Sequence, residues 1–139
     1  MSARFHDRRL PSRSGVTPEA IEKHRARVNP ADEQRSPTYA AMVESLDDNV
    51  GKVLAALEEL GMAEDTLVIF TSDNAPRISY GNHAGSTPFR EAKGTTFDGG
   101  VRSACIMKLP GYIEAGTTST RAFCTIDILP TVVALTGAT

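Results

Sequence analysis

The sequence predicts an α/β fold, a mostly parallel sheet covered by helices, and three observations predict it. Between Tyr39 and Leu60, apolar residues return at helical spacing. Just beyond Gly61, Leu67-Val68-Ile69-Phe70 forms an uninterrupted apolar run rich in β-branched and aromatic side chains, as in a strand buried on both faces. A second run, Ser103 to Lys108, ends at Pro110-Gly111. Helix, brief glycine turn and buried strand make one crossover of a helix-covered parallel sheet.

Taken in order, residues 1–35 are a poorly defined N-terminal segment. Arg4, Arg8, Arg9 and Arg13 cluster there among Pro11, Gly15 and Pro18, and read as a solvated stretch rather than a binding patch. A short helix is predicted from Thr17 to Val28: Thr17 can cap, Pro18 suits the first helical position, and Glu19 favours the positive end. Ser36-Pro37 opens the long helix in the same way, and Gly61 stops it. Its apolar stripe is Tyr39, Met42, Val43, Leu46, Val50, Val53, Leu54, Leu57 and Leu60, with Glu44, Asp47, Asp48, Lys52, Glu58 and Glu59 mostly opposite. The stripe reads as core packing, with Leu46, Val50, Val53 and Leu57 against the sheet. Arg121 to Thr125 reads as a third, short strand, and Asp127-Ile128-Leu129-Pro130 opens a last helix stopped by Gly137.

Length and charge exclude some functions. A chain of 139 residues, 40% apolar and 23% charged, has room for one domain with a core. Its net charge of -2 argues against nucleic acid or an anionic membrane as an obligatory partner. No stretch approaches the apolar length of a membrane span, and the basic N-terminus lacks a signal-peptide apolar core.

The chemistry-bearing residues gather between Thr66 and Arg102. Asp73 and Asn74 follow the first strand, and in open α/β sheets ligands sit outside the carboxyl ends of strands. A polar loop then leads to Lys93-Gly94-Thr95-Thr96 and to Gly99-Gly100-Val101-Arg102. Read alone, Asp73-Asn74 is either a turn or part of a hard-cation site, which takes roughly six to eight oxygen ligands. Lys93 is a compact cation suited to a sulfate or phosphate oxygen, and Gly94 lets the backbone approach closely. Gly99-Gly100 reads as a tight turn before the strand. His83, in the intervening loop, either contacts substrate or is merely solvated.

Thr71, Ser72, Asp73, Asn74, Pro88, Arg90, Lys93, Gly94, Thr95, Gly99, Gly100 and Arg102 together resemble the sulfatases of the alkaline phosphatase superfamily, arylsulfatase type. That family carries "TSDNG…PLR-GGKGT-(W/Y)EGG-(I/V)R". Ala75 stands for the usual Gly, Glu91-Ala92 for Gly-Gly, and Phe97-Asp98 for aromatic-Glu. The closing "DILPTVVALTG" also fits, so the resemblance covers residues 36 to 138. It implies an alkaline phosphatase-like fold, here incomplete: residues 36–139 as part of a catalytic domain that starts and stops mid-fold.

The resemblance implies hydrolysis of sulfate esters, on a small molecule or a sulfated glycan, with a calcium ion and a formylglycine nucleophile. Asp73 and Asn74 are then metal ligands, completed by two acidic residues from a region preceding this chain, and Lys93 contacts the sulfate and stabilises charge developing on it. His83 is a substrate-binding candidate. An upstream histidine also contacts the ester in the family; His6 lies in the right region without the family's context, and His24 sits on the first helix. The formylglycine precursor lies in a C/S-x-P-x-R block. Cys105 has Met107 and Leu109 at the required positions, Cys124 has Ile126 and Ile128, and both fail. Ser86-Thr87-Pro88-Phe89-Arg90 matches formally but coincides with the family's "PLR" before the lysine, so the formylglycine is expected upstream and the chain alone inactive. Cys105 and Cys124 read as buried apolar residues, one on each strand. The family is often periplasmic, secreted or lysosomal. Two alternatives stay open: a phosphodiesterase or phosphonate hydrolase of the same superfamily, and a non-catalytic remnant or binding module.

Overall fold

A computed structural model describes residues 15–31, 35–76 and 88–138 of the chain. The elements run α1 (Pro18–Arg25), α2 (Pro37–Glu59), β1 (Val68–Thr71), α3 (Asp98–Val101), β2 (Cys105–Lys108) and α4 (Ile128–Thr136), with a 3-10 turn at Thr125–Asp127 before α4.

Both early helices start as their caps dictate. The Ala20 amide donates to Thr17 Oγ1 at 3.3 Å and the Tyr39 amide to Ser36 Oγ at 3.2 Å, each cap followed by proline. α1 ends at Arg25 rather than Val28: beyond it the Arg27 and Val28 amides bond carbonyls three residues back, at His24 and Arg25, a tightened turn that leads out to Pro30. α2 runs unbroken and closes on Gly61 at φ 67°, with the Gly61 amide on the Glu58 carbonyl and the Met62 amide on the Leu57 carbonyl. That pair of bonds is a Schellman motif, and glycine occupies the left-handed position it requires.

The strands are neighbours, as expected, but the expected parallel sheet is not what the described residues show. β1 and β2 form a two-stranded antiparallel sheet with Thr71 opposite Cys105 and Val68 opposite Lys108. The physical reason lies in the connection. The chain leaves β1 at Thr71 and re-enters beside the same end at Cys105, with the one-turn α3 on the way among the described residues; a parallel partner needs a crossover to the opposite end. Thr71 Oγ1 donates to the Ala104 carbonyl at 3.1 Å and Ser103 Oγ to the Ser72 carbonyl at 3.1 Å, fastening this end.

Other expectations also change. Residues 121–124 form no strand; the Cys124 amide is taken at 2.7 Å by the Asp127 carboxylate, a local cap that competes with any ladder bond. Cys105 and Cys124 are exposed free thiols rather than buried ones. β1 is half-buried at Val68 and Ile69 and exposed at Phe70, so it is not covered on both faces. The stripe of α2 does not close onto the sheet: Leu46 and Val53 are exposed, and α2 packs on α1 through Glu44, which pairs with Lys23 and with His24 Nε2 at 3.1 Å. Most of what is buried is small, namely Thr38, Ala41, Ala63, Ala75, Ala92, Gly99 and Gly100 beside Leu109, with no large side chain fully buried among the described residues.

Candidate functional site

Backbone close packing builds the site. β1 delivers Ser72, Asp73 and Asn74 at its carboxyl end, and the chain from Pro88 returns to the same place. The Lys93 amide donates to the Pro76 carbonyl at 3.1 Å, the Ala75 amide to the Gly100 carbonyl at 3.3 Å, and the Gly99 amide to the Arg90 carbonyl at 2.8 Å. Gly99 and Gly100 are buried in α3, not in a turn before the strand. A Cβ on Gly99 would collide with the carbonyl oxygens of Arg90 and Glu91, and one on Gly100 with those of Ala92 and Thr95. The glycines are needed for close approach rather than for unusual φ, and this packing forms a helix that two glycines alone disfavour.

Two cation–π contacts lace the turn to α3. The Arg90 guanidinium lies 4.0 Å from the Phe97 ring centroid, and that of Arg102 lies 4.2 Å from Phe89. Glu91 occupies the left-handed region at φ 64°, the position where the resemblance has glycine. Ala75, which also stands where the resemblance has glycine, has no positive φ and buries its methyl group.

Lys93 Nζ reaches Asp73 Oδ2 at 3.0 Å, and Asn74 Nδ2 donates to the same oxygen at 2.6 Å. These contacts, Lys93 first and Asn74 second, hold the Asp73 carboxyl below its ordinary pKa. The three residues line an open cleft of about 450 Å³ with Tyr39, Phe89 and Arg102. Asp73 and Asn74 offer an anionic and a neutral oxygen, the donor kind that calcium takes, so they suit part of a shell. Among the described residues no three His, Cys, Asp or Glu side chains gather into a fuller cage. His6, His83 and Ser86 lie outside the described residues. His24 is spent on Glu44, away from Lys93.

Sequence reasoning missed three contributors to the cleft. Tyr39 belongs to the stripe expected to pack in the core, yet it brings the start of α2 into the lining. Phe89 and Arg102 sit inside the blocks that carry Lys93, so the signal for them was present without a role attached.

The sulfatase family profile matches residues 6–138. The chain belongs to the sulfatase family. It is 44% identical over 101 residues to N-acetylgalactosamine-6-sulfatase of Mus musculus, covering 71% of the chain and 19% of that protein. To arylsulfatase A of Homo sapiens it is 44% identical over 107 residues, covering 75% of the chain and 20% of that protein. Among solved structures, this sulfatase chain resembles Ps i-CgsB in complex with k-i-k-neocarrahexaose at a TM-score of 0.78 and 29% identity, over 94% of the chain and 28% of the other. Sulfatase membership brings the alkaline phosphatase-like fold class with it, and the chain spans about a fifth of the length of the curated relatives it matches.

Proposed function

We propose that the chain supplies one wall of a sulfate-ester hydrolase centre, with Lys93 as the catalytic cation on the transferred sulfate and Asp73 and Asn74 as partial ligands of a calcium ion. The observation that carries this reading is the 3.0 Å approach of Lys93 Nζ to Asp73 Oδ2 in an open cleft. A lysine ammonium acts on a sulfate oxygen as a point charge, most strongly where charge develops in the transition state. The same ammonium pairs with the Asp73 carboxylate at the cleft. A bound calcium ion would polarise the sulfate oxygens and take over part of Asp73's charge. Asp73 and Asn74 would hold that ion with an anionic and a neutral oxygen, and Lys93 would offer its ammonium to the sulfate of the ester. His83 enters the reading as a further substrate contact.

Neither Cys105 nor Cys124 fits a formylglycine precursor, so the nucleophilic step belongs to a residue beyond these two. The parallel strands expected of the fold belong likewise to the remainder of a full-length domain, beside a sheet whose described part has two strands. The substrate is a sulfate ester of a small molecule or a glycan; the relatives are named as sulfatases, which favours sulfate over phosphate.

The reading is tested by titrating the chain with inorganic sulfate, with and without calcium, and following the Lys93 side chain by NMR. Sulfate should shift the Lys93 resonance, calcium should strengthen the effect, and Lys93→Ala should abolish binding. Unchanged sulfate affinity in Lys93→Ala contradicts it.

A further inference from the structure

Among the described residues that line the cleft, the charged side chains are Asp73, Lys93 and Arg102: two cations to one carboxylate. Lys93 is paired with Asp73. Arg102 is paired with Asp98 at 3.4 Å, between side chains that are 59% and 63% exposed, and Asp98 does not line the cleft. So exposed an ion pair at that separation holds its partner weakly. The cleft therefore carries a cation beyond the one that balances Asp73, on a side chain with a different shape from lysine.

The setting of Arg102 gives that charge direction. Its guanidinium lies over the Phe89 ring, 4.2 Å from the centroid, so one face of the planar group is covered. Stacking on a ring leaves the N–H edges as the groups able to donate, and a guanidinium edge matches two oxygens of an oxyanion at once. Phe89 and Arg102 come from opposite ends of the closure that also sets Lys93, so both cations are positioned by one packed unit.

We infer that Arg102 forms a second anion subsite, and that the substrate carries two anionic groups: the sulfate that meets Lys93 and a second sulfate that meets Arg102. This rests on the sulfate-ester reading of the Lys93 site and narrows it to multiply sulfated molecules. Attraction between the surplus cation and a second sulfate favours such a ligand over a monosulfated one, and the bidentate edge selects an oxyanion over a hydroxyl.

The experiment titrates the chain, in the presence of calcium, with a galactoside carrying one sulfate and with the same galactoside carrying two. The Arg102 Nε–Hε and Lys93 resonances are followed by NMR. The disulfated probe should bind roughly tenfold more tightly, the gain expected of a charge-assisted hydrogen-bonded contact. It should also move the Arg102 resonance, which the monosulfated probe leaves in place. Arg102→Gln, which keeps a planar polar end but no charge, should lose the preference and retain monosulfate binding; Arg102→Lys should retain part of it. Far-UV circular dichroism matching the parent chain establishes that each variant is folded. Equal affinity of the parent chain for both probes, or a preference that survives in Arg102→Gln, overturns the second subsite while leaving the Lys93 reading intact. Failure of the parent chain to bind either probe overturns both.

Discussion

Around Lys93 backbone meets backbone, whereas along α2 a row of large apolar side chains meets solvent. In the first region Ala75, Ala92, Gly99 and Gly100 are buried, and amides of three segments bond across the closure. In the second, Val43, Leu46, Val53 and Leu60 are between 48% and 71% exposed. The first region is specified by exclusion, since there is no room for one more carbon. The second is specified by burial it does not yet have: each such side chain contributes about 1.5–3 kcal/mol only when fully covered. Site geometry and the apolar surface of α2 thus draw on different parts of this chain, and the site is closed by its own backbone where the helix face is open.

The largest effect should come from the glycines. Gly99→Ala or Gly100→Ala drives a methyl group into main-chain oxygens that cannot swing aside, at a cost of about 1–3 kcal/mol or more. Denaturant unfolding would measure the loss, and the Lys93–Asp73 contact should weaken with it. An alanine tolerated at both positions would show that the closure has room for a methyl group after all.

Glu91→Gly acts on the same turn in the opposite direction. A left-handed residue with a Cβ costs about 1–2 kcal/mol, part of which glycine returns through its larger unfolded-state entropy. At φ 64° the substitution should leave a net gain of about 0.5–1 kcal/mol, read as a higher denaturant midpoint. A loss would mean that the Glu91 side chain, not its backbone, matters.

The smallest stability effect belongs to α2. Val53→Ser, at a position 59% exposed, should change the stability of this chain by less than about 0.5 kcal/mol. A loss of more than about 1 kcal/mol in the same unfolding measurement would show that a partner surface covers the stripe, which sharpens the contrast by identifying what the helix lacks.

These two regions were also unequally legible. The ends of α2 could be read directly, because Ser36-Pro37 and Gly61 are local chemistry that acts whatever surrounds it. The existence of β1 and β2 was legible in their apolar runs, but their direction was not, since pairing depends on where the chain re-enters the sheet. The same gap explains the cysteines and Phe70, whose apolar character implied burial that only neighbouring layers supply. At the site, Asp73, Asn74 and Lys93 could be singled out from the order and spacing of their motif blocks and from the place of Asp73-Asn74 just past the end of β1. α3 was illegible because Gly99-Gly100 has little helix propensity of its own; its helix exists through contact with the turn it packs beneath. Arg102 and Phe89 went without a role because their meaning lies in facing each other, 4.2 Å apart, across residues that a sequence keeps separate.

Proton titration reaches the centre of the account. Lys93, then Asn74, depress the Asp73 pKa, so this carboxylate contributes stability above its unfolded pKa and loses it as pH falls through the lower folded value. Glu44, on α2, is depressed in the same direction by Lys23 and then His24 of α1, and supplies an internal control. The decisive measurement is the carbon-13 titration of both carboxyl groups in the parent chain and in Lys93→Ala. Asp73 should titrate below the usual aspartate range in the parent and rise towards it in the variant, while Glu44 stays where it was. An Asp73 that titrates normally in the parent, or one indifferent to the loss of Lys93, would contradict the claim that these two residues form one site.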